Sequence, residues 1–108
     1  MKTRGYLFVC VLLTGIAAFA APAAAHTPLF SCFDNGDGTI FCEGGFSDGS
    51  SAAGTPILVK DGSGAVLLKT ELTRNSEVEL EKPAGAYTVV FDGGDGHQIE
   101  ISGSQIFE

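Results

Sequence analysis

The sequence predicts an all-β protein: a single small seven-stranded antiparallel β-sandwich that follows a cleaved N-terminal signal peptide. Three observations predict this. An apolar stretch close to the start ends in small residues, as signal peptides do. Beyond it, short runs of strand-forming residues are separated by Gly, Asp, Asn, Ser and Pro. In that part of the sequence, no stretch repeats its apolar residues with the period of a helix.

The start of the chain has the organisation of a secretory signal peptide. Lys2 and Arg4 precede a long uncharged apolar run, and small residues follow it up to Ala25. A positive start, an apolar centre and an Ala-x-Ala motif place the cut after Ala25. We therefore expect residues 1–25 to be removed. Residues 26–108 would then form one β-sandwich domain, periplasmic or secreted, with no stable membrane insertion after processing.

Removing the signal peptide changes the charge of the chain. The full sequence of 108 residues has 6 Lys and Arg against 13 Asp and Glu. Two of the basic residues and none of the acidic ones precede residue 26, so the remaining 83 residues carry a formal charge of −9. Nucleic acids and anionic membranes are bound by clustered Lys and Arg, so we expect no nucleic-acid partner. A body this acidic is better suited to binding cations.

The first two predicted strands, 29–34 and 39–46, form a hairpin. The turn between them, 35–38, has the sequence Asn-Gly-Asp-Gly, in which Asn and Gly tolerate a positive φ. A turn centred on its third residue places Cys32 opposite Cys42. These are the two cysteines that remain after processing, and an even number in an oxidising compartment predicts a disulfide between them.

Five further strands follow at regular spacing, which is typical of a β-sandwich. They are predicted over 55–60, 65–71, 77–81, 87–92 and 97–102. In the strand at 77–81, Glu residues alternate with Val and Leu. That alternation indicates an antiparallel sheet with one face on the core and one in water.

Three segments resemble the carboxypeptidase regulatory-like domain. They are 54–59 (Gly-Thr-Pro-Ile-Leu-Val), the turn 61–64 (Asp-Gly-Ser-Gly) and the start of a strand at 82–89 (Lys-Pro-Ala-Gly-Ala-Tyr-Thr-Val). The resemblance implies a seven-stranded sandwich of the transthyretin or prealbumin type. It implies a fold and leaves the function open, because one fold hosts many functions.

Two other segments carry a narrower resemblance. They are 43–49 (Glu-Gly-Gly-Phe-Ser-Asp-Gly) and 90–97 (Val-Phe-Asp-Gly-Gly-Asp-Gly-His), together with a His at the expected mature N-terminus. They resemble small soluble extracytoplasmic components that are encoded with nickel and cobalt uptake transporters of the energy-coupling-factor type. The resemblance implies a periplasmic metal-handling accessory protein, whose partner is a membrane transporter component. This chain departs from the pattern by carrying Cys32 and Cys42.

His26 is the first candidate ligand for a transition-metal ion. If the cut follows Ala25, His26 offers its α-amine and its imidazole Nδ1 to one ion, as a chelate. His97 is the second candidate, and the glycines around it allow Asp92 and Asp95 to converge with it. The resemblance favours nickel or cobalt. The ligand types alone also admit copper or zinc.

Two other functions stay open at this stage. One is a structural or protein-interaction β-sandwich without ligand, in which His97 packs over the rim of the core and its ring bonds to a backbone carbonyl. The other is a copper-binding periplasmic protein that uses the same histidines. We do not expect an enzyme, because no nucleophile with a neighbouring base is visible in the sequence.

Overall fold

Residues 26–108, which the computed structural model describes, form seven antiparallel β-strands and one short 3-10 helix. The predicted signal peptide, residues 1–25, lies outside the described residues. The strands are β1 (Pro28–Asp34), β2 (Thr39–Phe46), β3 (Pro56–Asp61), β4 (Val66–Glu71), β5 (Glu77–Glu81), β6 (Tyr87–Asp92) and β7 (Gln98–Ser102). The 3-10 helix covers Gly103–Gln105. The predicted all-β class with seven antiparallel strands is therefore confirmed.

The strands form two sheets that pack face to face. The three-stranded sheet has the order β1-β2-β5, and the four-stranded sheet has the order β4-β3-β6-β7. Side chains from both sheets meet in one core, whose fully buried members include Ile40 from one sheet and Ile57, Val89 and Phe91 from the other. In β3, for example, Ile57 and Val59 face the core and alternate with less buried residues, as the period of two requires.

The first hairpin has the predicted register. Cys32 lies directly opposite Cys42, and Phe33 lies opposite Phe41. A disulfide joins the two cysteines, which are both buried in the core. The predicted disulfide is therefore confirmed. At the turn, the carboxylate of Asp34 accepts a hydrogen bond from the Gly36 amide at 2.8 Å, so this acidic loop folds back on its own backbone.

The termini of the strands bring three segments to one end of the sandwich. β1 starts there, β2 ends there, and the turn between β6 and β7 closes the same end. His26 precedes β1 and His97 precedes β7, so the antiparallel topology places both histidines at this end. Among residues 26–108, no helix is long and apolar enough to cross a membrane.

Candidate functional site

The two histidines of the chain lie side by side. The imidazole rings of His26 and His97 are stacked, with centroids 5.6 Å apart and an angle of 29° between their planes. They come from different sheets, because His26 leads into β1 and His97 leads into β7. The predicted pair of candidate ligands is thus brought together across the two layers, although the two residues are far apart in the sequence.

Phe46, the last residue of β2, packs against both imidazoles. Its ring lies edge-on to His26, with centroids 5.2 Å apart, and edge-on to His97, with centroids 6.4 Å apart. The same ring packs against the ring of Phe91 in the core, with centroids 6.1 Å apart. The histidines therefore rest on an aromatic surface that continues into the hydrophobic core, which restricts the positions their rings can take.

Two hydrogen bonds hold the segment that carries His26. The amide of Thr27 donates to the hydroxyl Oγ of Ser47, and the amide of Ser47 donates to the carbonyl of Thr27, both at 2.8 Å. Thr27 and Ser47 continue the β1–β2 register, in which Pro28 lies opposite Phe46. The segment before β1 is thereby fastened to the end of β2, and His26 is held beside Phe46.

Asp48 is the carboxylate closest to the pair. Its Oδ2 lies 3.6 Å from Nδ1 of His26, and both side chains are about half exposed. The other oxygen, Oδ1, accepts hydrogen bonds from the hydroxyl and the amide of Ser50 at 2.6 and 2.9 Å. These hydrogen bonds, together with the neighbouring His26, hold the pKa of Asp48 below its usual range. Asp48 is therefore ionised at neutral pH and presents a negative charge to His26.

The sequence interpretation missed Asp48, although the chain contains a signal for it. The register that pairs Cys32 with Cys42 ends at Pro28 and Phe46, and the contacts beyond it follow the same order. One step further, Thr27 contacts Ser47, and a second step brings His26 to Asp48. Extending the hairpin register by two residues would thus have selected the partner of His26 from the sequence.

The turn before β7 sets the orientation of His97. The amide of Gly93 donates to the carbonyl of His97 at 3.1 Å, and the amide of His97 donates to the carbonyl of Gly94 at 2.9 Å. Nδ1 of the imidazole lies 3.0 Å from the carbonyl oxygen of Asp95. A neutral His97 that donates its Nδ1 proton to this carbonyl leaves Nε2 with a free lone pair, which can bind a metal ion.

Of the two predicted supporting carboxylates, that of Asp92 makes hydrogen bonds of its own. Asp92 accepts hydrogen bonds from the amide of Gly94 at 3.2 Å and from Nε2 of Gln98 at 3.0 Å. The bond from Gln98, together with the bond from Gly94, lowers the pKa of Asp92. Asp95 contacts His97 through its main-chain carbonyl. Across residues 26–108, the imidazole–carboxylate contact that the structure shows is the one between His26 and Asp48.

The donor set at this end is small. Within the described part of the chain, no group of three or more His, Cys, Asp or Glu side chains is arranged to hold a metal ion. The two imidazoles supply two nitrogen donors, and an α-amine at His26 would supply a third that is not a side-chain group. No family model, curated protein or solved structure matches this chain.

Proposed function

We propose that this protein is a periplasmic metal-handling accessory protein, which binds a divalent transition-metal ion and relays it to a membrane uptake system. Nickel and cobalt are the favoured ions, and copper and zinc are the alternatives. The observation that carries the proposal is the stacking of His26 and His97, with ring centroids 5.6 Å apart. Two imidazoles that lie this close can each offer one ring nitrogen to a shared ion once their side chains rotate out of the stack.

Processing after Ala25 completes the donor set. The new α-amine and Nδ1 of His26 then form a chelate, and Nε2 of His97 adds a third nitrogen from the opposite sheet. Asp48 lies beside Nδ1 of His26 at 3.6 Å, so its carboxylate is the nearest oxygen donor. Nitrogen donors with one carboxylate suit nickel, cobalt, copper and zinc, whereas calcium and magnesium prefer oxygen ligands throughout.

Exposure and charge fit a protein that takes up an ion and releases it. The side chain of His26 is 47% exposed, so a bound ion would be open to exchange with a partner protein. A formal charge of −9 on residues 26–108 raises the local concentration of cations around the molecule. The disulfide between Cys32 and Cys42 supports an oxidising compartment, because such bonds persist outside the cytosol.

The test uses the protein purified from cells that express the full chain, with the N-terminus identified by mass spectrometry. Binding of Ni²⁺, Co²⁺, Cu²⁺ and Zn²⁺ is measured by competition with a chelator of known affinity. A matched form with one extra residue before His26 keeps both imidazoles and moves the α-amine away. We expect this form and the His97→Ala variant to bind at least about tenfold more weakly, as expected when one ligand is lost.

The outcomes separate the candidate roles. Equal metal affinity with and without the extra residue would show that the α-amine is not a ligand. Failure of all four ions to bind the form that begins at His26 would exclude the metal-handling role. Preference for Cu²⁺ beyond the ordinary affinity order of divalent ions would identify a copper protein instead of a nickel or cobalt one.

A second candidate is a protein-interaction module without a ligand. The observation that favours it is the contact between Nδ1 of His97 and the carbonyl of Asp95, because this contact also suits a purely structural histidine. In that case His97→Ala would lower the free energy of unfolding, and no metal ion would raise the melting temperature of the original protein. A metal-binding protein would instead be stabilised by its ion.

A further inference from the structure

The three-stranded sheet has an outer face that points away from the core. Buried residues such as Cys42 and Leu80 belong to the core, so the side chains that alternate with them along β1, β2 and β5 form the outer face. The register aligns these side chains in rows across the sheet. Phe33, Phe41 and Glu79 form one row, and Ser31, Glu43 and Glu77 form the next. Phe33 is 48% exposed, so an aromatic surface lies beside carboxylates.

The charge of this sheet has one sign. β1, β2 and β5 contain five Asp and Glu and no Lys or Arg, whereas the four strands of the other sheet contain four Asp and Glu and two Lys. The formal charge is thus −5 on the three strands and −2 on the other four. Arg74 precedes β5, and Lys82 follows it and is paired with Asp34 at 2.7 Å. The outer face therefore attracts a cationic partner.

Two of these carboxylates face each other across neighbouring strands. Glu43 of β2 is the register partner of Glu77 of β5, and both belong to the outer face. Directly opposed residues have Cβ atoms about 4.5–5.5 Å apart, and like charges at this spacing destabilise a sheet. Among residues 26–108, the lysine or arginine within ion-pair distance of a carboxylate is Lys82, whose partner is Asp34. A cation from outside the described chain would therefore relieve the repulsion between Glu43 and Glu77.

A recess lies next to this pair of carboxylates. It has a volume of about 420 Å³, and its lining includes Leu29, Glu43 and Gly45 of the outer face and Asn75 of the turn before β5. Gly45 has no side chain to fill the recess, and a Cβ added there would meet no atom closer than 4.0 Å. Leu29 is 53% exposed. An apolar side chain of a partner can therefore enter beside Leu29.

We propose that this outer face binds a segment of a partner protein in which Lys or Arg side chains stand next to apolar ones. The basic side chains would lie over Glu43, Glu77 and Glu79, and the apolar ones would cover Phe33 and enter the recess. A second copy of this chain fits poorly, because two faces of the same negative charge repel each other. The face contains neither histidine, so binding of the partner would not require the metal ion.

Synthetic peptides test the chemistry of the partner. The probe is a fluorescent peptide of two Lys-Lys-Phe-Phe repeats, in which each side of an extended strand carries both residue types. One matched peptide has Glu in place of Lys, and another has Ser in place of Phe. Fluorescence anisotropy with the purified protein, with and without a metal chelator, measures the affinity. We expect both matched peptides to bind at least about tenfold more weakly, and added salt to weaken the binding of the probe.

Glu77→Gln tests the place of binding. We expect it to weaken binding of the probe about two- to fivefold, as for the loss of one exposed ion pair. The melting temperature of the free protein should rise, because the repulsion with Glu43 is removed. The matched control is Glu100→Gln, since Glu100 is an exposed glutamate on β7 of the other sheet. Its affinity for the probe should be unchanged.

A second pair of variants tests the apolar contact. Phe33→Ser should weaken binding at least about threefold, because it removes apolar area that the peptide covers. Leu67→Ser is its control, because Leu67 is 53% exposed and lies on β4 of the other sheet. The melting temperature of each variant checks that it is folded.

Four results would overturn the proposal. The first is a probe that does not bind even at low salt. The second is equal binding of the peptide with Ser in place of Phe, which would reduce the attraction to non-specific charge. The third is equal weakening by Glu77→Gln and Glu100→Gln, which would place the peptide elsewhere. The fourth is a mass of two chains in sedimentation equilibrium that Phe33→Ser reduces to one, which would make a second copy the occupant. Binding that a chelator abolishes would also contradict it, whereas unchanged binding separates this face from the metal site.

Discussion

The α-carbon of Gly93 lies against His97 so closely that position 93 has no room for a side chain. A Cβ at this position would be 2.7 Å from the carbonyl oxygen of His97 and 3.1 Å from its Cβ. The amide of Gly93 also donates to that same carbonyl. The backbone of residue 93 therefore sets the position of His97, and through it the distance between the two imidazoles.

Gly93→Ala is expected to displace His97 and to weaken metal binding. The added methyl group meets the His97 carbonyl and the Phe91 ring, so the turn must shift, at a cost of about 1–3 kcal/mol in the free energy of unfolding. Urea denaturation measures the stability, and chelator competition measures the affinity for the metal ion.

The control for this substitution is Gly85→Ala. An added Cβ at Gly85 has no neighbour within 4 Å, and Gly85 is not among the glycines with a positive φ. We expect its stability and metal affinity to match those of the original protein. If Gly93→Ala behaved in the same way, the close approach of Gly93 to His97 would have no energetic consequence.

Ser47→Ala is expected to loosen the segment that carries His26. It removes the hydroxyl that accepts the hydrogen bond from the Thr27 amide, while the bond from the Ser47 amide to Thr27 remains. Loss of one such bond costs about 1 kcal/mol, which corresponds to about fivefold weaker metal binding if His26 must be held in place to bind. Chelator competition measures the affinity for the metal ion.

Ser63→Ala provides the comparison for Ser47→Ala. Ser63 bonds to the carboxylate of Asp61 in the exposed turn before β4, away from both histidines. Its loss should leave metal affinity unchanged. If Ser47→Ala and Ser63→Ala had the same metal affinity, the hydrogen bond from the Thr27 amide to the Ser47 hydroxyl would not position His26.

Replacing both Cys32 and Cys42 by Ala is expected to lower the free energy of unfolding by about 3 kcal/mol, because the bridge no longer restricts the unfolded chain. Chemical denaturation with and without a reductant measures this loss. The reductant should destabilise the original protein and have no effect on the doubly substituted one. Equal stability of the two proteins without reductant would contradict the expectation.

The ion pair between Lys82 and Asp34 predicts a specific dependence on pH. Nζ of Lys82 lies 2.7 Å from Oδ2 of Asp34, and this contact, with the hydrogen bond from Gly36, lowers the pKa of the carboxyl group. Because the Asp34 carboxyl group has a lower pKa in the folded state than in the unfolded chain, its ionisation favours the folded state. This stabilisation is fully present at pH values above the unfolded pKa of about 3.9. That contribution is lost as the pH falls through the folded pKa.

Lys82→Met should therefore raise the pKa of Asp34, which carboxyl NMR titration measures directly. The free energy of unfolding should also fall less steeply below about pH 4 in this variant. The reason is that the folded and unfolded states then differ less in the number of protons they bind. Lys69→Met, on β4, removes a lysine that does not contact Asp34 and should leave its pKa unchanged. A shift of equal size in both variants would exclude the ion pair as the cause.

Local chemistry explains why the strands were predictable. The predicted bounds of β2, β5 and β6 match the structure, and each bound of the other four differs by at most one residue. The turns between them depend on residues that tolerate a positive φ, such as Gly36, Gly38 and Gly64. Alternation within a strand and turn chemistry between strands both act over a few residues, so they can be recognised without knowing the fold.

The site was predictable only in part. His26 and His97 were selected as candidate ligands, and the structure brings them together. The sequence groups Asp92 with them because it is near His97, and in the structure its carboxylate accepts hydrogen bonds from Gly94 and Gln98. Phe46 was not selected, since its contact with both imidazoles depends on how the two sheets pack.

The sequence by itself determined the hairpin and its disulfide. These relationships lie within one pair of neighbouring strands, where the turn sets which residues face each other. The tertiary structure alone decided that His97 meets His26, because the two residues belong to different sheets. Their distance depends on the stacking of the sheets over the buried core, and no local pattern in the chain specifies that packing.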